Sequence, residues 1–96
     1  MAIAYQNYYT YSYKLRNGLC ISREGQKVWY KDNSYHRLNG PSFINSSGVR
    51  YWYFNGKIHR INGPAIEWNK GSMYYFHGDS VTKTEYKRLI KLEILM

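Results

Sequence analysis

Residues 29–41 read Trp29-Tyr30-Lys31-Asp32-Asn33-Ser34-Tyr35-His36-Arg37-Leu38-Asn39-Gly40-Pro41, and residues 52–64 read Trp52-Tyr53-Phe54-Asn55-Gly56-Lys57-Ile58-His59-Arg60-Ile61-Asn62-Gly63-Pro64. Every matched pair is offset by twenty-three positions, and chance does not produce that. The period runs in both directions. Gly25, Gly48 and Gly71 fall in register, as do Trp29, Trp52 and Tyr75, then Tyr30, Tyr53 and Phe76, so a third copy begins before it decays. Upstream, Tyr8 and Asn17-Gly18 fit a degenerate first copy if one residue is deleted between Gly18 and Gly25. Degenerate ends suit terminal capping units, which have one neighbour to stack on.

Each unit reads as β structure, because aromatic and β-branched runs of about four to six residues are separated by Asn-Gly or Gly turns. Asn55-Gly56 is the sharpest signal: both central positions of a type I′ hairpin need positive φ, and these residues tolerate it best. Strands near Val49–Phe54 and Lys57–Arg60 flank it. Asn39-Gly40-Pro41 and Asn62-Gly63-Pro64 mark a second bend, with Ser42–Asn45 and Ala65–Asn69 as the strands that follow each proline. Further reversals fall at Ser46-Ser47-Gly48 and Lys70-Gly71. The expectation is a mainly β fold, an antiparallel meander of 23-residue hairpin repeats forming a single sheet of roughly six or seven strands. Tyr9, Tyr11 and Tyr13 alternate with Thr10 and Ser12, which puts three tyrosines on one face of a first strand.

After Asp79 the pattern changes. Thr82-Lys83-Thr84-Glu85 has capping-box spacing, and Tyr86, Leu89, Ile90 and Ile94 then form one apolar helical stripe, with Lys83, Lys87, Arg88 and Lys91 mainly on the other faces. A C-terminal α-helix over 82–95 is expected, packed on one face or open edge of the sheet, with a homodimer contact as the alternative use of the stripe. The domain reading is a single unit over 1–96: cap strands over 1–24, repeats over 25–78, then the helix.

The unit Trp-Tyr-x-Asn-Gly-x-x-His-Arg-x-Asn-Gly-Pro-Ala stands complete at Trp52–Ala65, and at Trp29–Pro41 with Asp32-Asn33 at the turn and Ser42 in place of alanine. It resembles the short β-repeat of many small bacterial, phage and large-virus proteins, and it is similar to the MORN-type repeats of repeat-antitoxin proteins. The resemblance covers roughly residues 18 to 78. It implies an antiparallel repeat sheet and a binding rather than a catalytic role. By analogy of size, it fits a phage-encoded inhibitor or sequestering protein working in the host cytoplasm.

Composition bounds the chemistry. Ninety-six residues suffice for one small core with no deep internal pocket, so a site is expected on a surface or in a groove. Fourteen Lys and Arg against six Asp and Glu leave +8, and twelve residues are Tyr. Cys20 is the sole cysteine, which rules out an internal disulfide and reads as a buried or indifferent thiol. No apolar run approaches the roughly twenty residues of a membrane span, and Met1–Tyr5 lacks the basic and apolar segments of a secretory signal. The expected setting is cytoplasmic, with no membrane partner.

No catalytic residue is assigned. His36, His59 and His77 have no short metal-ligand spacing, the pairs Asp32/Asp79 and Glu67/Glu93 have no spacing for acid–base work, and no nucleophile elbow or phosphate loop is present. The expectation is no enzyme, no metal and no cofactor. The binding candidates are basic and aromatic: Arg37 and Arg60 as a short ladder on one sheet face, with His36, His59, Arg50 and Lys57 beside them and Tyr35, Tyr51 and Tyr53 as stacking planes. Repeated aromatics also form the core of a stack, so Trp29, Trp52, Tyr30 and Tyr53 carry that second reading. Tyr and Arg dominate protein interfaces, which favours a host protein with an acidic surface as partner. A nucleotide, or nucleic acid bound without sequence specificity, is the alternative, because cations and aromatic faces also suit phosphates and bases.

Overall fold

The computed structural model describes residues 16–96, so the strand expected around Tyr9, Tyr11 and Tyr13 and the match at Tyr8 lie outside the described residues. The fold is mainly β and entirely antiparallel, with one C-terminal helix. Ten short strands appear among the described residues: β1 Gly18–Ile21, β2 Lys27–Lys31, β3 Ser34–Tyr35, β4 Phe43–Ile44, β5 Arg50–Tyr51, β6 Tyr53–Phe54, β7 Lys57–Ile58, β8 Ile66–Trp68, β9 Gly71–Phe76 and β10 Asp79–Val81. The helix α1 spans Lys83–Leu95. Seven strands follow one another in the order β1-β2-β4-β5-β8-β9-β10, and β3 joins beside β2.

The single sheet and the lower strand number need correction: β6 and β7 form a separate two-stranded sheet. The expected strand over Val49–Phe54 breaks at Trp52 into β5, which stays in the main sheet, and β6, which leaves it. Trp52 sends its N–H to the Ala65 carbonyl at 2.8 Å and takes the His59 N–H on its own carbonyl at 3.0 Å. Trp29 does the same with Ser42 and His36, at 2.8 Å in both directions. Both backbone groups are satisfied, so the change of direction sacrifices no hydrogen bond.

The hairpin tips follow the sequence. Asn55 and Gly56 have φ of 51° and 76°, and Asp32 and Asn33 have 50° and 69°, the left-handed pair a type I′ turn requires. His77 and Gly78, at 47° and 96°, make a third tip of the same kind. This third tip shows that the spacing has shortened to twenty-two by that point. Ile44 faces Arg50 across the five residues 45–49, whereas its equivalent Glu67 faces Ser72 across the four residues 68–71, with Trp68 opposite Gly71. Gly71 therefore opens β9 instead of matching Gly25 and Gly48, and Tyr74, Tyr75 and Phe76 stand where Trp52, Tyr53 and Phe54 stand. The deletion expected between Gly18 and Gly25 is not there either. Ile21 faces Lys27 across a loop as long as 45–49, so Cys20 takes the place held by Phe43 and Ile66.

The core is thin. Cys20, Val28 and Tyr30 form a buried cluster flanked by Tyr35 and Phe43, while Ala65, Ile66 and Tyr86 are buried further along. Burial raises the Cys20 thiol pKa, so the thiolate is disfavoured. An aromatic run ties the units together: Tyr35 meets Tyr30 at 5.5 Å, Tyr53 at 5.0 Å and Phe43 at 6.0 Å, and Phe43 meets Tyr51 at 5.1 Å. Trp29 and Trp52, read as core, are half-buried, and what covers one face of each ring is an arginine.

Helix α1 packs against β9. Thr82 caps it, its hydroxyl accepting the Glu85 N–H at 3.1 Å. The carboxylate half of the box is replaced by an ion pair from Glu85 to Arg88, at 2.5 Å. Tyr86 is buried and Leu89 and Ile90 half-buried, but Ile94 is 73% exposed, so the inward stripe ends one turn early. Among the described residues no helix is long and apolar enough to cross a membrane.

Candidate functional site

The His-Arg-x-Asn-Gly-Pro segments build the site, and their geometry explains most of their residues. Arg37 lies over the Trp29 indole with its guanidinium carbon 3.9 Å from the ring centroid, and Arg60 lies over Trp52 at the same 3.9 Å. Each arginine also donates through Nη1 to a proline carbonyl, Pro41 at 3.3 Å and Pro64 at 3.2 Å. A Cβ on Gly40 would sit 3.0 Å from the Arg37 guanidinium carbon, and one on Gly63 would sit 3.1 Å from that of Arg60. The guanidinium is thus clamped between an indole face and a side-chain-free backbone. Stacking of this kind contributes about 0.5–2 kcal/mol, depending on how fully the pair is desolvated.

The two arginines differ in charge balance. Arg60 reaches Glu67 at 3.3 Å, and Glu67 also holds Arg50 at 3.6 Å. In the preceding unit Ile44 occupies the position of Glu67, and Arg37 has no carboxylate partner among the described residues.

Between the two segments the units part to leave a cleft of about 710 Å³. One wall is His36 through Pro41. The other is Trp52, Tyr53 and Phe54 with His59 through Asn62. Leu38 is 85% exposed, Ile61 54% and Phe54 37%, and all three line the cleft. Of the residues singled out in the sequence, His36, Arg37, Tyr53, His59 and Arg60 are brought together here. Arg50, Tyr35 and Tyr51 belong to the sheet outside the cleft lining, and Lys57 is exposed on β7 with its stem beside Gly78. Burial lifts the Tyr53 hydroxyl above its usual pKa, so it stays protonated as a neutral hydroxyl.

Sequence reasoning passed over Leu38 and Ile61. The available signal was their shared place after the repeated arginine: a large aliphatic residue kept at a turn has no core to enter.

The two histidines have different fates. His59 is 1% exposed; its Nδ1 accepts the His77 N–H at 2.9 Å, and its ring stacks on His77 at 3.8 Å and 13°. His77 in turn donates from Nε2 to Glu93 of α1 at 2.6 Å. The potential ligand atoms of His59, His77 and Glu93 lie within 4.8 Å of one another. Stacked imidazoles hold their lone pairs in nearly parallel planes, and the His59 Nδ1 lone pair is already engaged, so the trio is arranged as a latch rather than a chelate. Burial first, and the neighbouring His77 second, lower the His59 pKa below 6.5. His36 is half-buried, and its imidazole has no partner among the described residues.

Comparison with protein-family models, curated proteins and solved structures finds no match for the chain.

Proposed function

We propose that this chain is a binding module that docks a protein partner in the cleft between His36–Pro41 and Trp52–Asn62, acting as an inhibitor or sequestering protein rather than a catalyst. The observation that carries this reading is the cluster of large apolar side chains held open to solvent at the cleft: Leu38, Ile61 and Phe54. Exposed apolar groups rimmed by polar ones mark interaction sites, and here the rim is Asn39, Asn62 and His36. The unbalanced Arg37 and the chain's +8 charge favour an acidic partner surface around that apolar centre. The same arginine supports an anionic nucleotide as the second reading.

The test is capture from extract of the cell in which the protein acts, with wild-type chain and a Leu38→Asp/Ile61→Asp variant in parallel, analysing bound protein, nucleic acid and small metabolites. Both changes lie on exposed side chains, so the fold is retained. The reading expects one defined protein on the wild type and its loss from the variant. Recovery of nucleotide or nucleic acid instead, or equal capture by both chains, would overturn it.

A further inference from the structure

The segment His59–Pro64 is met at two places by its own chain. The His77-Gly78 tip covers His59, and its Gly78 N–H donates to the Ile58 carbonyl at 2.8 Å. On α1, the Tyr86 hydroxyl donates to the Arg60 carbonyl and accepts the Gly63 N–H, the latter at 3.1 Å. The Tyr86 ring packs 4.9 Å from Tyr74, which holds in β9 the place that Trp52 holds one unit earlier.

The segment His36–Pro41 carries the same residues, with Leu38 in place of Ile61, and the same arginine clamp, and neither visitor reaches it. The Arg37 carbonyl and the Gly40 N–H make no hydrogen bond among the described residues, nor do the N–H groups of Asn55 and Gly56 at the intervening tip. What adjoins the segment is the cleft, whose far wall is Trp52.

We propose that this cleft takes a tyrosine side chain from the protein partner. Its hydroxyl accepts from the Gly40 N–H and donates to the Arg37 carbonyl, while its ring rests on Trp52 beside His36. One hydroxyl both donates and accepts, which a donor and an acceptor three residues apart require together. A phosphate or carboxylate only accepts, and the Arg37 carbonyl oxygen repels it. This chemistry separates a tyrosine from a phosphate group, and the ring's rest on Trp52 places that hydroxyl at the end of an aromatic side chain. The inference rests on the protein-docking reading of the cleft and names what that docking recognises.

The test uses the full chain, labelled with nitrogen-15 and titrated with N-acetyl-tyrosinamide, N-acetyl-phenylalaninamide and adenosine monophosphate. The expected result is a saturating shift of the Gly40 amide with the tyrosine probe and a still Gly63 amide, which Tyr86 already occupies. The phenylalanine probe should bind about tenfold more weakly, the loss that goes with one hydrogen-bonded hydroxyl. Equal response to both aromatic probes, no movement of Gly40, or a stronger response to the nucleotide would overturn tyrosine recognition. Failure of the two readings is distinguishable. If the Leu38→Asp/Ile61→Asp chain loses its captured protein while Gly40 ignores the tyrosine probe, docking stands and tyrosine recognition falls. If Gly40 responds and capture is unchanged, the docking reading falls.

Discussion

His77 stacks on His59 with ring centroids 3.8 Å apart, and its backbone N–H donates to the His59 Nδ1. The contact locks the third hairpin tip onto the unit before it and requires a neutral His59. Because the folded-state pKa of His59 is lowered, the unfolded chain binds the proton first as pH falls through 6.5. This contribution to stability is complete above that pH and is lost progressively as the pH drops toward the folded value. Urea unfolding at pH 7.5 and pH 5 should show a lower midpoint in acid. In His59→Asn, whose side-chain oxygen retains an acceptor but does not titrate, the difference should shrink; an unchanged difference would place the pH sensitivity elsewhere.

The arginine clamp predicts that lysine is a poor substitute. Arg60→Lys keeps the charge and removes both the planar stack on Trp52 and the Nη1 donation to the Pro64 carbonyl, at a cost of about 1–2 kcal/mol. Arg37→Lys should cost less, since Arg37 carries no ion pair corresponding to that with Glu67. Thermal melts of the two variants check the order.

Gly63→Ala should act on the same clamp from the other side. Its Cβ would press to 3.1 Å on the Arg60 guanidinium, which must give by a few tenths of an ångström toward the indole or along it. A destabilisation of about 1–3 kcal/mol is expected, with a changed tryptophan emission as the sign that the stack has shifted. A melt and spectrum like those of the wild type would show that the contact gives way without consequence.

Tyr86→Phe tests the bridge from helix to loop. It keeps the ring on Tyr74 and removes the hydroxyl, leaving the Arg60 carbonyl and the Gly63 N–H without their partner, for a loss of about 1–3 kcal/mol. Hydrogen exchange at the Gly63 amide should quicken more than at amides of β1 or β2. A uniform change across the chain would mean that the bridge has only a global effect.

The mainly β, antiparallel fold and the C-terminal helix were readable in the sequence because turns and periodicity are local signals. Asn55-Gly56 needs φ values that few other residue pairs accept, and Thr82 announces its helix within four residues. The break at Trp52 was not readable: the run Val49–Phe54 has strand composition throughout, and the break depends on Ala65 and His59, distant groups that take the tryptophan's two backbone bonds. The shift to a twenty-two-residue spacing was also hidden, since Gly71 looks like Gly25 and Gly48 until the pairing of Trp68 with Gly71 is seen. At the site, the pairing of Arg37 with Arg60 could be read from sequence, but their engagement with tryptophan faces and proline carbonyls could not. That engagement turns two free cations into framework and shifts attention to Leu38 and Ile61.

The tip at Asn55-Gly56, whose N–H groups make no hydrogen bond among the described residues, divides those residues into unequal halves. The β6–β7 hairpin and the His59 that follows it are bonded to the tip between β9 and β10, through Ile58 and the His59 Nδ1, while toward the first unit the hairpin has one side-chain bond, the Tyr53 N–H to the Ser42 hydroxyl at 3.2 Å, and the aromatic edge of Tyr53 against Tyr35. The cleft is therefore a seam between two blocks joined chiefly by the sheet below. A chain seated across such a seam stitches the blocks together, and its binding free energy adds to the stability of the whole fold.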